Sequence, residues 1–173
     1  MPLALVLSLP VGAFVLYVAT RPSAFRFARA RRIDAPPQRV FALINDLHQW
    51  GRWSPWERLD PAMQKTYEGP DAGVGAKSSW VGPKSGAGSM TITASEADAR
   101  VALALDFVKP FPAHNVATFT LTPDGDGTRV EWAMEGERNF MMKAFDVVVG
   151  MDKMLGKDFT AGLDAMADAA TAG

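Results

Sequence analysis

The chain has 173 residues, within the size of one ordinary domain, and its 18 basic and 19 acidic side chains leave a formal charge of −1, so no bulk field would hold it on nucleic acid or an anionic surface. Without cysteine it can form no disulfide, thiol nucleophile or thiolate metal site. Its two histidines, His48 and His114, lie far apart with no carboxylate motif at ligand spacing, and this excludes a histidine-rich metal site.

The first element is the uncharged run LALVLSLPVGAFVLYVA, residues 3–19. As a helix it would reach roughly 25 Å, at the short end of what spans a bilayer core. No basic stretch precedes Leu3, as a cleavable signal peptide would normally have. Pro10, Gly12 and the lack of a polar face also argue against a buried amphipathic helix. Arg21, Arg26, Arg29, Arg31 and Arg32 follow the run, and basic residues favour the cytoplasmic side. The expectation is a single-pass membrane anchor, or an uncleaved signal segment, over residues 1–21, with a domain over 22–173 in the cytoplasm.

Residues 24–33, AFRFARARRI, alternate partly, with Arg29 and Arg31 interrupting the face that carries Phe25, Phe27 and Ile33, so an imperfect edge strand is expected. Asp34 can cap a short helix over 36–46, which Pro36 and Pro37 open and in which Val40, Phe41 and Ile44 form an apolar stripe. Gly51, Pro55 and Pro61 then limit any helix to a turn or two, while Trp50, Trp53 and Trp56 recur every third residue and would stand on one side. Six strands follow, over 63–68, 75–82, 88–97, 100–109, 114–122 and 128–137. The later ones alternate cleanly, with apolar sets such as Val101, Leu103, Leu105 and Phe107 opposed by Asp106, Thr118, Glu131 and Glu135, as in an antiparallel sheet wet on one side. GPKSGAG at 82–88 and PDGDG at 123–127 mark turns. One long amphipathic helix is expected from Asn139 to Ala170, and within it Gly150, Gly156 and Gly162 mark close packing or a bend.

One strand, two short helices, six antiparallel strands and a long terminal helix is the order of an α+β helix-grip fold, a seven-stranded antiparallel sheet wrapped around its C-terminal helix. The segments IDAPPQRVFALINDLHQWGRWSPW, GSMTI and MDKMLGKDFTAGLDAM, in this order within residues 25–168, resemble the SRPBCC superfamily, which comprises START-related polyketide cyclase/dehydrase and lipid-transport proteins. Arg29 and Arg31 depart from that pattern, whose first strand usually carries apolar residues there. The resemblance implies a hydrophobic ligand, lipid-like or polycyclic, held between sheet and helix, with ring closure or dehydration catalysed in a minority of members.

The residues themselves offer little catalytic chemistry, because no acid or base stands in an evident constellation. Asp106, Glu131, Glu135, His48 and His114 read as solvated, Ser54 has no histidine at triad spacing, and GAGS lacks the helix a phosphate loop needs. No catalytic residue, metal or cofactor is therefore expected. The chain is instead rich in soft and large apolar side chains, with five tryptophans, ten phenylalanines and nine methionines. Candidate cavity residues are Trp50, Trp53, Trp56 and Trp80 before the main sheet, and Met90, Leu105, Phe107, Phe119 and Trp132 within it. Phe145, Val148 and Phe159 complete the set from the terminal helix, where together with Leu155 they should point toward Leu105, Phe107, Phe119 and Trp132. Three functions fit: a carrier of an apolar molecule, a cyclase or dehydrase, and a regulatory interaction module. A polar group on the cavity wall would favour the enzyme, and a cavity below about 300 Å³ the interaction module.

Overall fold

A computed structural model describes residues 3–172. The chain forms helix α1 (Leu3–Thr20), strand β1 (Ala24–Ile33), α2 (Pro37–Asn45), a 3₁₀ turn (Leu47–Arg52) and α3 (Pro55–Leu59). There follow β2 (Gln64–Glu68), β3 (Lys77–Gly82), β4 (Gly86–Glu96), β5 (Arg100–Lys109), β6 (Ala113–Asp124) and β7 (Gly127–Glu137), then α4 (Phe140–Val149) and α5 (Met151–Thr171). All seven strands join one antiparallel sheet in the order β1-β7-β6-β5-β4-β3-β2. This is the α+β helix-grip architecture.

Alternation sets the inner face. Val101 and Leu103 of β5, Phe119 and Leu121 of β6, and Val130 and Trp132 of β7 are all buried, which their period of two requires once one face meets a core. Glu131 and Glu135 stand on the other face and both pair with Arg26 across from them. At the first turn after β1 the expected Asp34 cap is not made. Pro36 occupies the cap position of α2, and Asp34, two residues too early, pairs with Arg32 instead.

The C-terminal carbonyls of α2 lack partners within their own helix. Two indoles supply them, for Trp50 Nε1 donates to the Ile44 carbonyl at 3.0 Å and Trp53 Nε1 to that of Leu43 at 2.9 Å. The tryptophan repeat thus fastens α2 to the 3₁₀ turn, and burial of both rings completes that end of the core.

Arg29 and Arg31 face α5. Arg29 pairs with Asp152 at 3.2 Å and Arg31 with Asp164, one on each side of Gly156. A Cβ at Gly156 would collide with the Arg29 guanidinium, so this glycine is where the arginine crosses the helix. The strand departs from an apolar pattern because its partner there is the charged shoulder of a helix.

Two further expectations are corrected. The single helix over 139–170 is two helices, since Gly150 adopts the left-handed conformation at φ 75° and ends α4. Asp146 fixes the joint, accepting from Met151 N at 2.8 Å and pairing with Arg138. The single-pass membrane location is corrected as well, because no helix among the described residues is long and apolar enough to cross a membrane. The 18 residues of α1 rise roughly 27 Å, short of the ~30 Å hydrocarbon core. Its far end is also part of the domain, with Val18 fully buried and α1 packed against α4.

Candidate functional site

The inner face of the sheet is filled at one end and hollow at the other. At the filled end the Trp132 ring lies flat on Phe159 of α5, centroids 4.3 Å apart, and stacks on Phe119 at 4.9 Å. Trp53 closes on the same group edge-on, at 5.5 Å from Trp132 and 5.8 Å from Phe119. Gly162 makes this possible, because a Cβ there would lie 2.8 Å from the Trp132 ring.

Beyond Trp132 a cavity of about 230 Å³ opens between β2 to β7, the 3₁₀ turn, α3 and the first turns of α5. Leu105, Phe107, Met90, Ala117 and Met134 form its floor, and Trp50, Trp56, Met63, Trp80, Leu155 and Phe159 its sides. Trp80 approaches because its neighbour on β4 is Gly88, where a Cβ would stand 2.5 Å from the indole. Its ring meets Phe107 edge-on at 5.7 Å, and its Nε1 donates to the Ser85 carbonyl at 3.3 Å.

The rim beside Trp80 is the hairpin from β3 to β4, and one buried carboxylate ties it down. Asp60 Oδ2 accepts from Lys84 N at 2.9 Å, Ser85 N at 2.8 Å and Ser85 Oγ at 2.9 Å. The Ser85 amide above all, then that of Lys84, holds the Asp60 carboxyl below the ordinary aspartate range against the opposing effect of burial.

The wall also carries polar side chains. Lys65 of β2, register partner of Trp80, donates from Nζ to Glu57 Oε1 of α3 at 2.5 Å. The two side chains retain only 18% and 14% of their exposure. Burial is the largest single influence and opposes the Lys65 charge, but its interactions with Glu57 and Tyr67 together outweigh burial and raise the ammonium pKa above the ordinary lysine value. The Tyr67 ring lies 5.4 Å from Nζ. Ser54 and Ser85 complete the lining.

Of the candidates taken from the sequence, Trp50, Trp56, Trp80, Met90, Leu105, Phe107, Trp132 and Phe159 stand around the cavity. Trp53 and Phe119 lie behind it, fully buried in the filled end. Phe145 and Val148 stand apart on α4 with 49% and 74% of their surface exposed, because the break at Gly150 turns α4 away from the sheet. Glu57, Lys65, Met63, Ala117 and Met134 were not among the candidates. The alternation of Met63, Lys65 and Tyr67 was a usable signal for Lys65, since it sets the lysine on the apolar side of its strand.

His48 and His114 serve locally. His48 Nδ1 lies 3.0 Å from Asp46 and its ring stacks on Tyr67 at 4.1 Å, while His114 pairs with Asp106 on the outer face. Among the described residues no group of histidine and carboxylate side chains is arranged to hold a metal ion.

The sheet, with α5 laid across its inner face, defines a helix-grip protein. Residues 24–171 match the family model for polyketide cyclase/dehydrase and lipid transport, and the chain belongs to that family. A comparison with curated proteins gives no match. Among solved structures it is similar to protein CV1439 from Chromobacterium violaceum, at 20% identity and TM-score 0.59, over 85% of this chain and 96% of that one. A protein from Arthrobacter aurescens has TM-score 0.61 at 20% identity, over 86% and 87%. The Aha1 dimer from Colwellia psychrerythraea has TM-score 0.56 at 12% identity, over 82% and 96%. Identities this low establish a shared fold.

Proposed function

We propose that this protein binds and carries a small hydrophobic molecule in the cavity under α5, without chemical turnover. The observation that carries the reading is the cavity itself, an almost wholly apolar hollow lined by four tryptophans in a sheet whose other end is tightly filled. Apolar walls with a few placed polar groups are the usual make-up of a small-molecule site. Membership of the polyketide cyclase/dehydrase and lipid transport family supports it.

Volume sets the ligand size. At about 230 Å³ the cavity lies near the small end of ligand pockets, which favours a small ligand such as a single ring or a short chain. The test is native mass spectrometry of protein purified from its host, together with uptake of an apolar dye read through tryptophan emission. A bound small molecule, or saturable uptake, is the expected result. Protein that is ligand-free and takes up neither dye nor single-ring hydrocarbon would overturn the reading.

Two observations favour other functions. The Glu57–Lys65 pair on the wall is the polar group an enzyme of the cyclase or dehydrase kind requires; such an enzyme would return a bound ligand at altered mass after incubation, where a carrier returns it unchanged. The volume lies below the ~300 Å³ lower end of ligand pockets, as an interaction module requires. Such a module would retain its activity when the cavity is filled by substitution.

A further inference from the structure

We infer that the ligand is an uncharged apolar molecule carrying a single hydroxyl, an alcohol or phenol, which bridges Lys65 and Glu57 at the cavity wall. The inference rests on the binding reading above and specifies the chemistry of that same site.

The pair is poorly explained as a fastening. A largely buried ion pair is weak evidence for stability, because the cost of desolvating both ions is repaid only by excellent geometry and further hydrogen bonds, and apolar replacements of similar volume often serve as well. The elements it joins are a five-residue helix and an edge strand. What distinguishes the pair is its place, for Glu57 and Lys65 are the charged side chains on a wall otherwise built of apolar residues and two serines, Ser54 and Ser85.

Their charges select the head group. The pair is neutral as a unit, so a carboxylate ligand would bring a second negative charge against Glu57, and an amine a second positive charge against Lys65, in a site poor in water. A bare hydrocarbon would cover the pair and offer it no hydrogen bond. The ammonium has three donors, of which Glu57 Oε1 takes one, and a carboxylate has acceptor sites to spare. A hydroxyl is the smallest neutral group that accepts from the first and donates to the second, and both bonds are charge-assisted.

Three probes on one propylbenzene scaffold test this on the full chain: para-propylphenol, propylbenzene and para-propylbenzoate, with affinity followed through the emission of the tryptophans around the cavity. The phenol should bind about tenfold tighter than the hydrocarbon, and the benzoate no tighter than the hydrocarbon. Glu57→Gln combined with Lys65→Met, which removes both charges at nearly constant volume, should abolish the advantage of the phenol over propylbenzene. Should the double variant fail to fold, the ranking of the three probes on the unaltered protein decides alone. Equal affinity for all three overturns the hydroxyl inference and leaves the binding reading standing. Preference for the benzoate overturns it in favour of an anion site at Lys65, and binding of none of the three overturns both readings.

Discussion

The two ends of the inner sheet face use the same residue types to opposite effect. At one end Trp53, Phe119, Trp132 and Phe159 are stacked into a solid, and at the other Trp56, Trp80, Phe107 and Leu105 surround a void. The difference lies in what covers them. The filled end lies under α2, the 3₁₀ turn and the glycine-relieved middle of α5, whereas the hollow end has only short α3, the start of α5 and a hairpin over it. Aromatic content therefore does not make a cavity; the length and position of the covering elements do.

Truncations at the two ends should break the symmetry between them. Trp53→Ala removes a fully buried ring and the donor that satisfies the Leu43 carbonyl, and should cost about 3–5 kcal/mol. Phe107→Ala removes a half-buried ring already beside empty space, and should cost about 1–2 kcal/mol because less packing is lost. Urea unfolding of both variants measures the difference. Equal losses would mean that the hollow end is packed shut in solution.

The glycines of α5 sharpen the comparison. Ala at position 162 would press a Cβ against the Trp132 ring and against Pro55 at 3.1 Å, so Gly162→Ala should destabilise by about 1–3 kcal/mol despite its helix propensity. Gly156→Ala meets only the end of Arg29, a flexible side chain that can swing aside, and should lie within about 1 kcal/mol of the parent. A thermal melt that ranked the two in the opposite order would place the tight contact of α5 at Arg29.

Filling the hollow should separate stability from binding. Ala117 is buried on the cavity floor, and Ala117→Val adds branched apolar volume to a strand with room above it. Stability should rise by about 0.5–1 kcal/mol, as for other cavity-filling changes, while uptake of an apolar probe falls. Loss of both would mean that the space is already occupied.

How far the sequence could be read follows from the range of each signal. The alternation of Val101, Leu103, Phe119, Leu121, Val130 and Trp132 is local and set the sheet face. Phe145 and Val148 were misplaced because amphipathic spacing runs unbroken through Gly150, and a glycine in a helix pattern looks the same whether it bends the helix, ends it or admits a neighbour. In this chain Gly150 ends a helix and Gly162 admits a ring. The anchor over residues 3–19 was read from apolar character alone, with no way to know that Val18 docks into the domain. Glu57 and Lys65 escaped because a charged residue in a short helix or edge strand reads as solvated; the alternation of Met63, Lys65 and Tyr67 hinted at the side Lys65 faces, and the pairing of β2 with β3 carries it to the wall beside Trp80.

The smallest expected effect concerns the rim of the hollow end. Asp60 holds the hairpin through the amides of Ser85 and Lys84, and these bonds favour its ionised form, so its folded pKa lies below the unfolded value of about 3.9. A carboxyl shifted in this direction contributes stability that is fully present above the unfolded pKa and is lost as the pH falls through the folded one. The hairpin should therefore be indifferent to pH through the neutral range and loosen only in acid. Asp60→Asn keeps the shape and removes the charge, so the variant should be less stable than the parent at neutral pH. The two should converge as the pH drops below about 4. The indole N–H resonance of Trp80, bonded to the Ser85 carbonyl, gives the local readout, and it should move in the parent over that acid range alone. If the gap between parent and variant stayed constant down to strong acid, the hairpin would be held by packing, and the charge of Asp60 would have no part in closing the cavity.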